Sequence, residues 1–433
     1  MNLQLEHYRN VALVSSALSP ETWPFDLKWL PKSACLVGGT VRDALLDRHS
    51  EYLDLDFVLP SNAVETAQVI ARHYRAGFVV LDAERQIARV VFEQGTADFA
   101  LQVGETLEDD LRRRDFTVNA IAYNPHKKDL LDPLHGYEDL QRKRLRMVSA
   151  ENLAEDPLRL LRAYRQAAQL GFSLESETQQ AIRQLAPNLS KIAAERVQSE
   201  LNYLLGTARG TNWIRIAWED GLLRDWFPSA TLDRLLQVAA IDHVTVHLQE
   251  TWTEFWSELS RTVRGTPKAS EAKGSVRTWV TIAKLASLLP DDPQIAEAQL
   301  WRLKYSRAEI QAVSTVVKAL PELRSDHAIA HWSLAEQYRF FQSVGAVFPA
   351  IALLGFAIKL PVESVAMLAN RFLDLADPVA HPSPILSGQD LISLLQIPPS
   401  PQIGKLLAAL QLARAEGRIS TREEAVELAR SLT

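Results

Sequence analysis

Two carboxylates that alternate with apolar residues give the chain its first chemical signal. The segment 53–59, LDLDFVL, has the two-residue period of a β-strand with one buried face, so Asp54 and Asp56 project side by side from the other face. Neighbouring carboxylates repel each other unless a cation lies between them. Such a pair can hold two Mg²⁺ ions about 3.5–4 Å apart for an in-line phosphoryl displacement. The alternative is an amphipathic strand with a solvated acidic face.

Residues that suit phosphate chemistry lie on both sides of this strand. The short apolar run 34–37 ends at Gly38-Gly39 and leads into a predicted helix with Arg42 in its first turn. Paired glycines let a backbone approach a ligand closely, and a helix N-terminus favours an anion. Asp98 adds a third acidic residue on a predicted neighbouring strand, where the alternative is an ordinary edge-strand carboxylate.

Asp156 and Arg159 form a pair that could read a nucleobase. Asp156-Pro157 signals a helix start, and residues three apart on a helix share one face. Asp offers only hydrogen-bond acceptors and Arg only donors. Cytosine and adenine each present a donor beside an acceptor, whereas guanine and uracil present the reverse order. Each unmade buried hydrogen bond costs about 1–3 kcal/mol, so the pair would accept C and A and reject G and U. The alternative is a capped helix with an exposed ion pair.

Composition sets the class of protein. The chain has 433 residues, 47% hydrophobic and 23% charged, which is typical of a globular protein with two to four domains. Its one cysteine, Cys35, excludes an internal disulfide and a cysteine-based zinc site. The first residues lack the order of a signal peptide, and the longest apolar patch, 346–360, contains proline, glycine and lysine. We therefore expect a cytoplasmic protein without a membrane span.

The charge is unevenly distributed. A net charge of −6 argues against a general nucleic-acid coat protein. The arginines nevertheless concentrate in one region, which predicts a basic cleft for a phosphate-rich substrate, although solvated helix faces are the alternative. This region holds Arg112, Arg113, Arg114, Arg142, Arg144, Arg146, Arg159, Arg162 and Arg165.

The pattern of the chain changes near residue 149. Strand and helix signals alternate before it, and only helical periodicity follows. We expect an α+β fold with five parts: an N-terminal helix and connector (1–30), a head with a small mixed sheet (31–148), and a helical neck, body and tail (149–205, 206–376 and 377–433). Residues 262–276 are predicted to form a mobile surface loop.

Five motifs in a fixed order give the chain a close resemblance to the class II tRNA nucleotidyltransferase and poly(A) polymerase family. The resemblance covers residues 31 to about 205, with a later Glu195-Arg196 pair. It implies a polymerase β-like nucleotidyltransferase head, and transfer of a nucleoside monophosphate from CTP or ATP to an RNA 3′-hydroxyl. The motifs are Gly38-Gly39-x-x-Arg42-Asp43, Asp54-x-Asp56, Arg113-Arg114-Asp115-Phe116-Thr117-x-Asn119-Ala120, Asp132-Pro133-x-x-Gly136-x-x-Asp139 and Glu155-Asp156-Pro157-x-Arg159-x-x-Arg162-x-x-Arg165.

The resemblance also implies a role for each matched residue. Asp54 and Asp56 would bind two Mg²⁺ ions, Asp98 would assist the attacking hydroxyl, and Asp156 with Arg159 would act as a protein template for the base. The partners would be the 3′ end of tRNA and the nucleotides. The remaining nucleotide-binding residues would be Gly38, Gly39, Arg42, Arg114, Asn119, Arg162 and Arg165.

One departure from the family pattern concerns the product. Full CCA-adding members of the commonest bacterial pattern carry a long flexible loop between the third carboxylate and the Arg-Arg-Asp motif, but here only residues 99–110 separate Asp98 from the basic run. The short segment resembles that of CC-adding enzymes, which a second nucleotidyltransferase would complement. The alternatives are full CCA addition, A addition, a poly(A) polymerase and an inactive RNA-binding scaffold.

Overall fold

The structure is a computed structural model that describes residues 16–48, 52–207, 209–263, 277–324 and 329–433. The chain divides into two compact units, Met1–Ile192 with Asp220–Leu222 and Ala193–Glu219 with Leu223–Thr433. The start of the predicted N-terminal helix and most of the predicted loop 262–276 lie outside the described residues. The first unit contains every predicted site residue.

A mixed seven-stranded sheet lies at the centre of the first unit, in the order β3-β4-β5-β2-β1-β6-β7. β2 and β5 are parallel, and the other neighbours in this sheet are antiparallel. The predicted mixed sheet is therefore confirmed. The strands are β1 (Cys35–Val37), β2 (Leu53–Leu59), β3 (Gly77–Asp82), β4 (Ile87–Val91), β5 (Gly95–Leu101), β6 (Ala122–Asn124) and β7 (Asp129–Leu131).

The glycine pair makes the predicted turn between a strand and a helix. β1 ends at Val37, and helix α1 (Gly39–Leu45) follows directly. Gly38 has φ 76° and ψ −138°, a conformation that a residue with a Cβ rarely adopts. The sharp turn brings the start of α1 beside the acidic face of β2.

The buried face of β2 is fixed by aromatic packing. Leu55 and Phe57 are fully buried, as the alternating pattern predicts. Phe57 stacks on Phe99 of β5 with ring centroids 5.4 Å apart and meets Trp23 edge-on at 5.3 Å. Such aromatic pairs add about 0.5–1.5 kcal/mol beyond their area burial. Helix α2 (Ala63–Tyr74) packs against β4 and β5. Core packing on its buried face therefore holds the strand that carries Asp54 and Asp56.

The described chain after residue 149 is helical except for one short strand. β9 (Ser173–Leu174) pairs in parallel with β8 (Arg144–Leu145), so the prediction of no further strand was wrong. Two residues are too few to show a two-residue period. In the first unit the remaining helices are α3 (Leu107–Leu111), α4 (Gly136–Gln141), α5 (Ala150–Glu155), α6 (Leu158–Leu170) and α7 (Ser176–Leu185).

The second unit is built from helices in its described part. Its last three helices share a separate hydrophobic cluster that includes Leu391, Leu406, Leu410 and Ala425. The finer division into neck, body and tail stays a prediction. The helices are α8 (Ala194–Gly206), α9 (Gly210–Glu219), α10 (Leu232–Thr251), α11 (Thr253–Leu259), α12 (Trp279–Ser287), α13 (Pro293–Arg302), α14 (Arg307–Leu323), α15 (Leu334–Val344), α16 (Phe348–Ala357), α17 (Val362–Leu373), α18 (Gly388–Leu395), α19 (Pro401–Ala415) and α20 (Arg422–Ser431).

One helical stretch of the described chain passes a composition test for a membrane span. Leu334–Ala357 has a mean hydropathy of 1.8 over its most apolar window, and 67% of that window is buried inside the protein. The stretch consists of α15, a short 3₁₀ turn (Gly345–Val347) and α16. Core helices of globular proteins pass the same test, so it is weak evidence for a membrane span.

Candidate active site

The three predicted carboxylates come together on one face of the sheet. The parallel register of β2 and β5 places Asp54 opposite Thr96 and Asp56 opposite Asp98. Thr96 is buried, and its Oγ1 donates a hydrogen bond to Asp54 Oδ1 at 2.6 Å. A neighbouring donor of this kind holds a metal-binding carboxylate in one orientation.

A guanidinium holds both oxygens of Asp98. Arg89 of β4 lies directly opposite Asp98 in the antiparallel register. Its Nε and Nη2 donate to Asp98 Oδ1 and Oδ2, each at 2.6 Å. This two-point geometry is the strongest form of an arginine–carboxylate pair.

The donor set fits a magnesium site formed by two carboxylates. Within the described ranges, no three or more His, Cys, Asp and Glu side chains converge as metal ligands. Mg²⁺ is usually bound through one or two carboxylates together with substrate phosphates and water. Asp54 and Asp56 supply carboxylates of this kind, and Thr96 already orients one of them.

Arg114 adds a positive charge at the same place. A methyl group on Gly38 would lie 3.3 Å from Arg114 Nη1 and 3.5 Å from Asp56 Oδ2, so glycine leaves room between the two side chains. Arg114 Nη2 donates to Asp110 at 3.2 Å, while its buried Nε has no hydrogen-bond partner among the described residues. A buried donor without a partner is costly, and an anion in this space would satisfy it.

A buried hydrogen-bond network links Arg42 to helix α6. Asn119 Oδ1 accepts from Arg42 Nη1 at 2.7 Å. Its Nδ2 donates to Asp115 Oδ1 at 2.8 Å and to Gln166 Oε1 at 2.9 Å. These bonds use both donors of the Asn119 amide, so in this structure Asn119 connects other site residues. Its predicted contact with nucleotide stays a prediction.

Asp115 is the anionic centre of this network. Burial by itself would raise its pKa, but Arg162, Asn119 and the Phe116 N–H together lower the pKa of Asp115 to about 2. Arg162 Nε donates to Asp115 Oδ2 at 3.1 Å. Arg162 therefore supports the carboxylate of the Arg-Arg-Asp motif, a role that the sequence did not indicate.

The proposed template pair lies at the start of α6, and the shared face of Asp156 and Arg159 stays a prediction. The Asp156 carboxylate caps the helix by accepting from Leu158 N at 3.2 Å, as expected. Asp156 itself has φ −129° and ψ 93°, the non-helical backbone that is typical of an N-cap residue. The cause is Pro157, because the residue before a proline disfavours the helical conformation.

Arg159 is held by backbone carbonyls. Its Nη1 donates to the carbonyl oxygens of Arg113 at 3.0 Å and Asn152 at 2.9 Å. The buried Asn152 side chain in turn donates to the carbonyls of Arg112 and Arg114, at 2.7 and 2.8 Å. Asn152 therefore fastens the arginine-rich segment on which the orientation of Arg159 depends.

Many arginines of the basic region have carboxylate or amide partners. Asp139 is fully buried and binds Arg144 at 2.6 Å and Arg146 at 2.8 Å. Arg165 donates to Gln169 one helical turn further along α6 at 2.8 Å. The linear cluster of arginines therefore overstates the positive charge that is available to a substrate. Arg165 is half-buried on α6, and its predicted contact with nucleotide stays a prediction.

Four supporting residues escaped the sequence prediction: Arg89, Thr96, Asn152 and Gln166. Only Arg89 carried a usable signal, since a lone arginine in the otherwise apolar strand Ile87–Val91 requires an anionic partner. The other three are neutral polar residues whose partners come from distant parts of the chain.

Three family models match successive parts of the chain. Residues 34–146 match the family described as Poly A polymerase head domain. Residues 171–233 match the family described as Probable RNA and SrmB- binding site of polymerase A, and residues 273–429 match the family described as tRNA nucleotidyltransferase domain 2 putative.

Individual relatives match along almost their whole length. The CC-adding tRNA nucleotidyltransferase of Synechocystis sp. is 48% identical over 94% of this chain and 96% of its own. The A-adding tRNA nucleotidyltransferase of Deinococcus radiodurans is 33% identical over 91% of this chain and 94% of its own. The chain belongs to the tRNA nucleotidyltransferase and poly(A) polymerase family.

A solved structure shares the fold. A CCA-adding enzyme in complex with ATP superimposes with a TM-score of 0.71 and 21% identity, over 100% of this chain and 96% of that one. The predicted fold, a nucleotidyltransferase head followed by a helical remainder, is confirmed.

Proposed function

We propose that this chain is a CC-adding tRNA nucleotidyltransferase, which transfers two cytidine monophosphates from CTP to the 3′ end of tRNA and then stops. The restriction to CC is inferred from the segment Phe99–Asp110 between the third carboxylate and the arginine motif, which is short and held by internal hydrogen bonds. The name of the Synechocystis relative supports the same product. A second nucleotidyltransferase would add the final adenosine, and the site of action would be the cytoplasm.

The reaction is a displacement at the α-phosphorus of the nucleotide. The tRNA 3′-oxygen forms a bond to this phosphorus, the bond to the bridging oxygen of the β-phosphate breaks, and pyrophosphate leaves. Asp54 and Asp56 would hold two Mg²⁺ ions, which would favour the nucleophilic form of the hydroxyl and neutralise charge on the leaving pyrophosphate. This two-metal arrangement rests on the paired carboxylates and on the orientation of Asp54 by Thr96.

The triphosphate would lie against the turn at Gly38 and Gly39. The missing Cβ atom of Gly38 leaves space between Arg114 and Asp56, and the buried Nε of Arg114 has no hydrogen-bond partner among the described residues. Arg42 is only 14% exposed and is fixed by Asp43 and Asn119, so it can offer its charge without losing much side-chain freedom.

The base would be read at the start of α6. Asp156 would accept from the exocyclic amine of cytosine, and Arg159 would donate to the adjacent ring nitrogen. The contacts that hold Arg159 Nη1 to two carbonyls fix the direction of the guanidinium. Guanine and uracil would leave both side chains mispaired, at about 1–3 kcal/mol for each lost hydrogen bond.

The product would be set by a segment that cannot move far. The same template can pair with C or A, so a change from one to the other requires a part that reshapes the pocket. Here Thr106 and Asp109 form a reciprocal capping box at the start of α3, and Asp110 accepts from Val103 N at 3.1 Å. Gly104 is the one glycine in the segment. These bonds hold the segment in place, so it would not reshape the pocket from C to A.

The product of the reaction tests the proposal. A tRNA that lacks CCA is incubated with Mg²⁺, CTP and ATP together, and its 3′ ends are sequenced. Ends that gain two cytidines and little adenosine support CC addition, while predominantly CCA ends would contradict it. Addition of A alone to tRNA that ends in CC would identify an A-adding enzyme. Long adenosine tails would identify a poly(A) polymerase, and RNA binding without incorporation an inactive scaffold.

A further inference from the structure

The ion pair between Arg89 and Asp98 lies on the catalytic face of the sheet. Both oxygens of Asp98 accept hydrogen bonds from the Arg89 guanidinium at 2.6 Å. The two side chains are 26% and 18% exposed, so water competes only partly for either partner. A two-point pair with this shielding is stronger and better defined than an exposed salt bridge.

The strand register brings this pair next to the proposed metal ligands. Arg89 of β4 is opposite Asp98 of β5, and Asp98 is opposite Asp56 of β2. Residues that are directly opposite in neighbouring strands project from the same face. The hydrogen bond to Asp98 raises the pKa of Arg89 against the effect of burial, and the charges of Asp54 and Asp56 raise it further.

The Arg89–Asp98 pair lowers the negative charge beside the proposed metal ligands. Three adjacent carboxylates would carry three negative charges and repel one another. Arg89 cancels one of these charges and occupies the oxygens with which Asp98 would bind a cation. The described residues correspondingly contain no convergent set of three metal-ligating side chains.

We propose that Arg89 is a positioning residue that keeps Asp98 out of the metal-ligand set, so that Asp54 and Asp56 alone hold the divalent cations. The proposal rests on the metal site of the proposed function. In this proposal Asp98 holds Arg89 in the ion pair, in place of the predicted direct role of Asp98 at the attacking hydroxyl.

Binding of Mn²⁺ to the full chain without nucleotide tests this role. Mn²⁺ prefers the same carboxylate ligands as Mg²⁺, and its binding is measurable by calorimetry or electron paramagnetic resonance. The variants are Arg89→Gln, Asp98→Asn and the double variant, with Arg89→Lys as a milder change that keeps the charge but loses the two-point geometry. Arg85→Gln in the same hairpin is the matched control, because the Arg85 side chain is 77% exposed.

We expect the two single changes to have opposite effects on Mn²⁺ affinity and to cancel in the double variant. Arg89→Gln releases Asp98 and should tighten Mn²⁺ binding about ten-fold, whereas Asp98→Asn leaves Arg89 to compete with the metal and should weaken binding about ten-fold. The double variant should return to the affinity of the wild type, Arg89→Lys should tighten binding less than Arg89→Gln does, and Arg85→Gln should change nothing.

Two results would overturn the proposal. If Arg89→Gln leaves the affinity unchanged or lowers it, the ion pair serves only the fold, which circular dichroism melting of the same variant would show as a lower melting temperature. If the double variant binds as weakly as Asp98→Asn, Asp98 is itself a metal ligand. The Asp54→Ala variant distinguishes failure of this proposal from failure of the proposed function. If Mn²⁺ binding is insensitive to this change, the metal site of the proposed function is wrong.

Discussion

Arg42 and Asn119 are 77 positions apart in the sequence, and Arg42 Nη1 donates to Asn119 Oδ1 at 2.7 Å. The same amide of Asn119 donates to Asp115 and to Gln166 of α6. One side chain thus connects the residue that would face the triphosphate to the helix that would present the template. The two halves of the proposed nucleotide pocket are thus joined by hydrogen bonds to one buried amide.

Replacing Asn119 should therefore weaken nucleotide binding without removing the proposed catalytic carboxylates. Asn119→Ala leaves buried partners unsatisfied at about 1–3 kcal/mol each, so we expect a higher KM for CTP and a lower melting temperature. Steady-state kinetics and thermal melting measure the two effects. Asn212→Ala, at an exposed asparagine, is the control. A variant that melts early but keeps its KM would show that Asn119 serves only the fold.

Loss of either proposed metal-binding carboxylate should abolish catalysis and spare the fold. Asp54→Ala and Asp56→Ala leave Leu55 and Phe57 in the core, so the strand should still form. Incorporation of labelled CTP, tRNA binding and circular dichroism melting are measured together, with the exposed Glu93→Ala as the control carboxylate. Appreciable activity in either variant would refute the metal assignment.

Changes to the template pair should alter base choice beyond any loss of rate. Asp156→Ala and Arg159→Ala each remove one side of the pairing with cytosine, so UTP and GTP should compete better with CTP. Competition assays give the ratio of kcat/KM values for each nucleotide pair. If discrimination is unchanged in both variants, the two residues amount to a helix cap and a surface arginine.

Asn152 should influence the same selectivity indirectly. Asn152→Ala removes the donors that fix the carbonyls of Arg112 and Arg114, so the guanidinium of Arg159 loses part of its support. We expect a smaller loss of discrimination than in Arg159→Ala. In the Arg159→Ala background the second change should have no further effect on selectivity, because Asn152 would act on selectivity only through Arg159. Additive losses would indicate that Asn152 acts independently.

The buried Asp115 should make stability depend on acid pH. Its pKa in the folded protein is about 2, below the usual 3.8, so its ionised form is stabilised by folding. This contribution is present above about pH 4, amounts to about 2 kcal/mol, and is lost as the pH falls towards about 2. Urea unfolding of the wild type and of Asp115→Asn measures it. The difference between the two proteins should shrink below about pH 4; a constant difference would contradict this assignment.

The sequence by itself determined the local parts of the site. The alternation of Leu53–Leu59 placed Asp54 and Asp56 on one face, and the glycine pair fixed the turn before α1. The capping box at Thr106 is likewise a short-range pattern. These features depend on neighbouring residues and on the period of the backbone, which are visible in a linear chain.

Only the tertiary structure decided which partner each polar group meets. Arg89 reaches Asp98 because of strand register, and Arg162 supports Asp115 across 47 positions. Register and helix docking are set by burial of apolar side chains over the whole unit. A hydrogen bond across such distances follows from that packing, and no local pattern in the sequence encodes it.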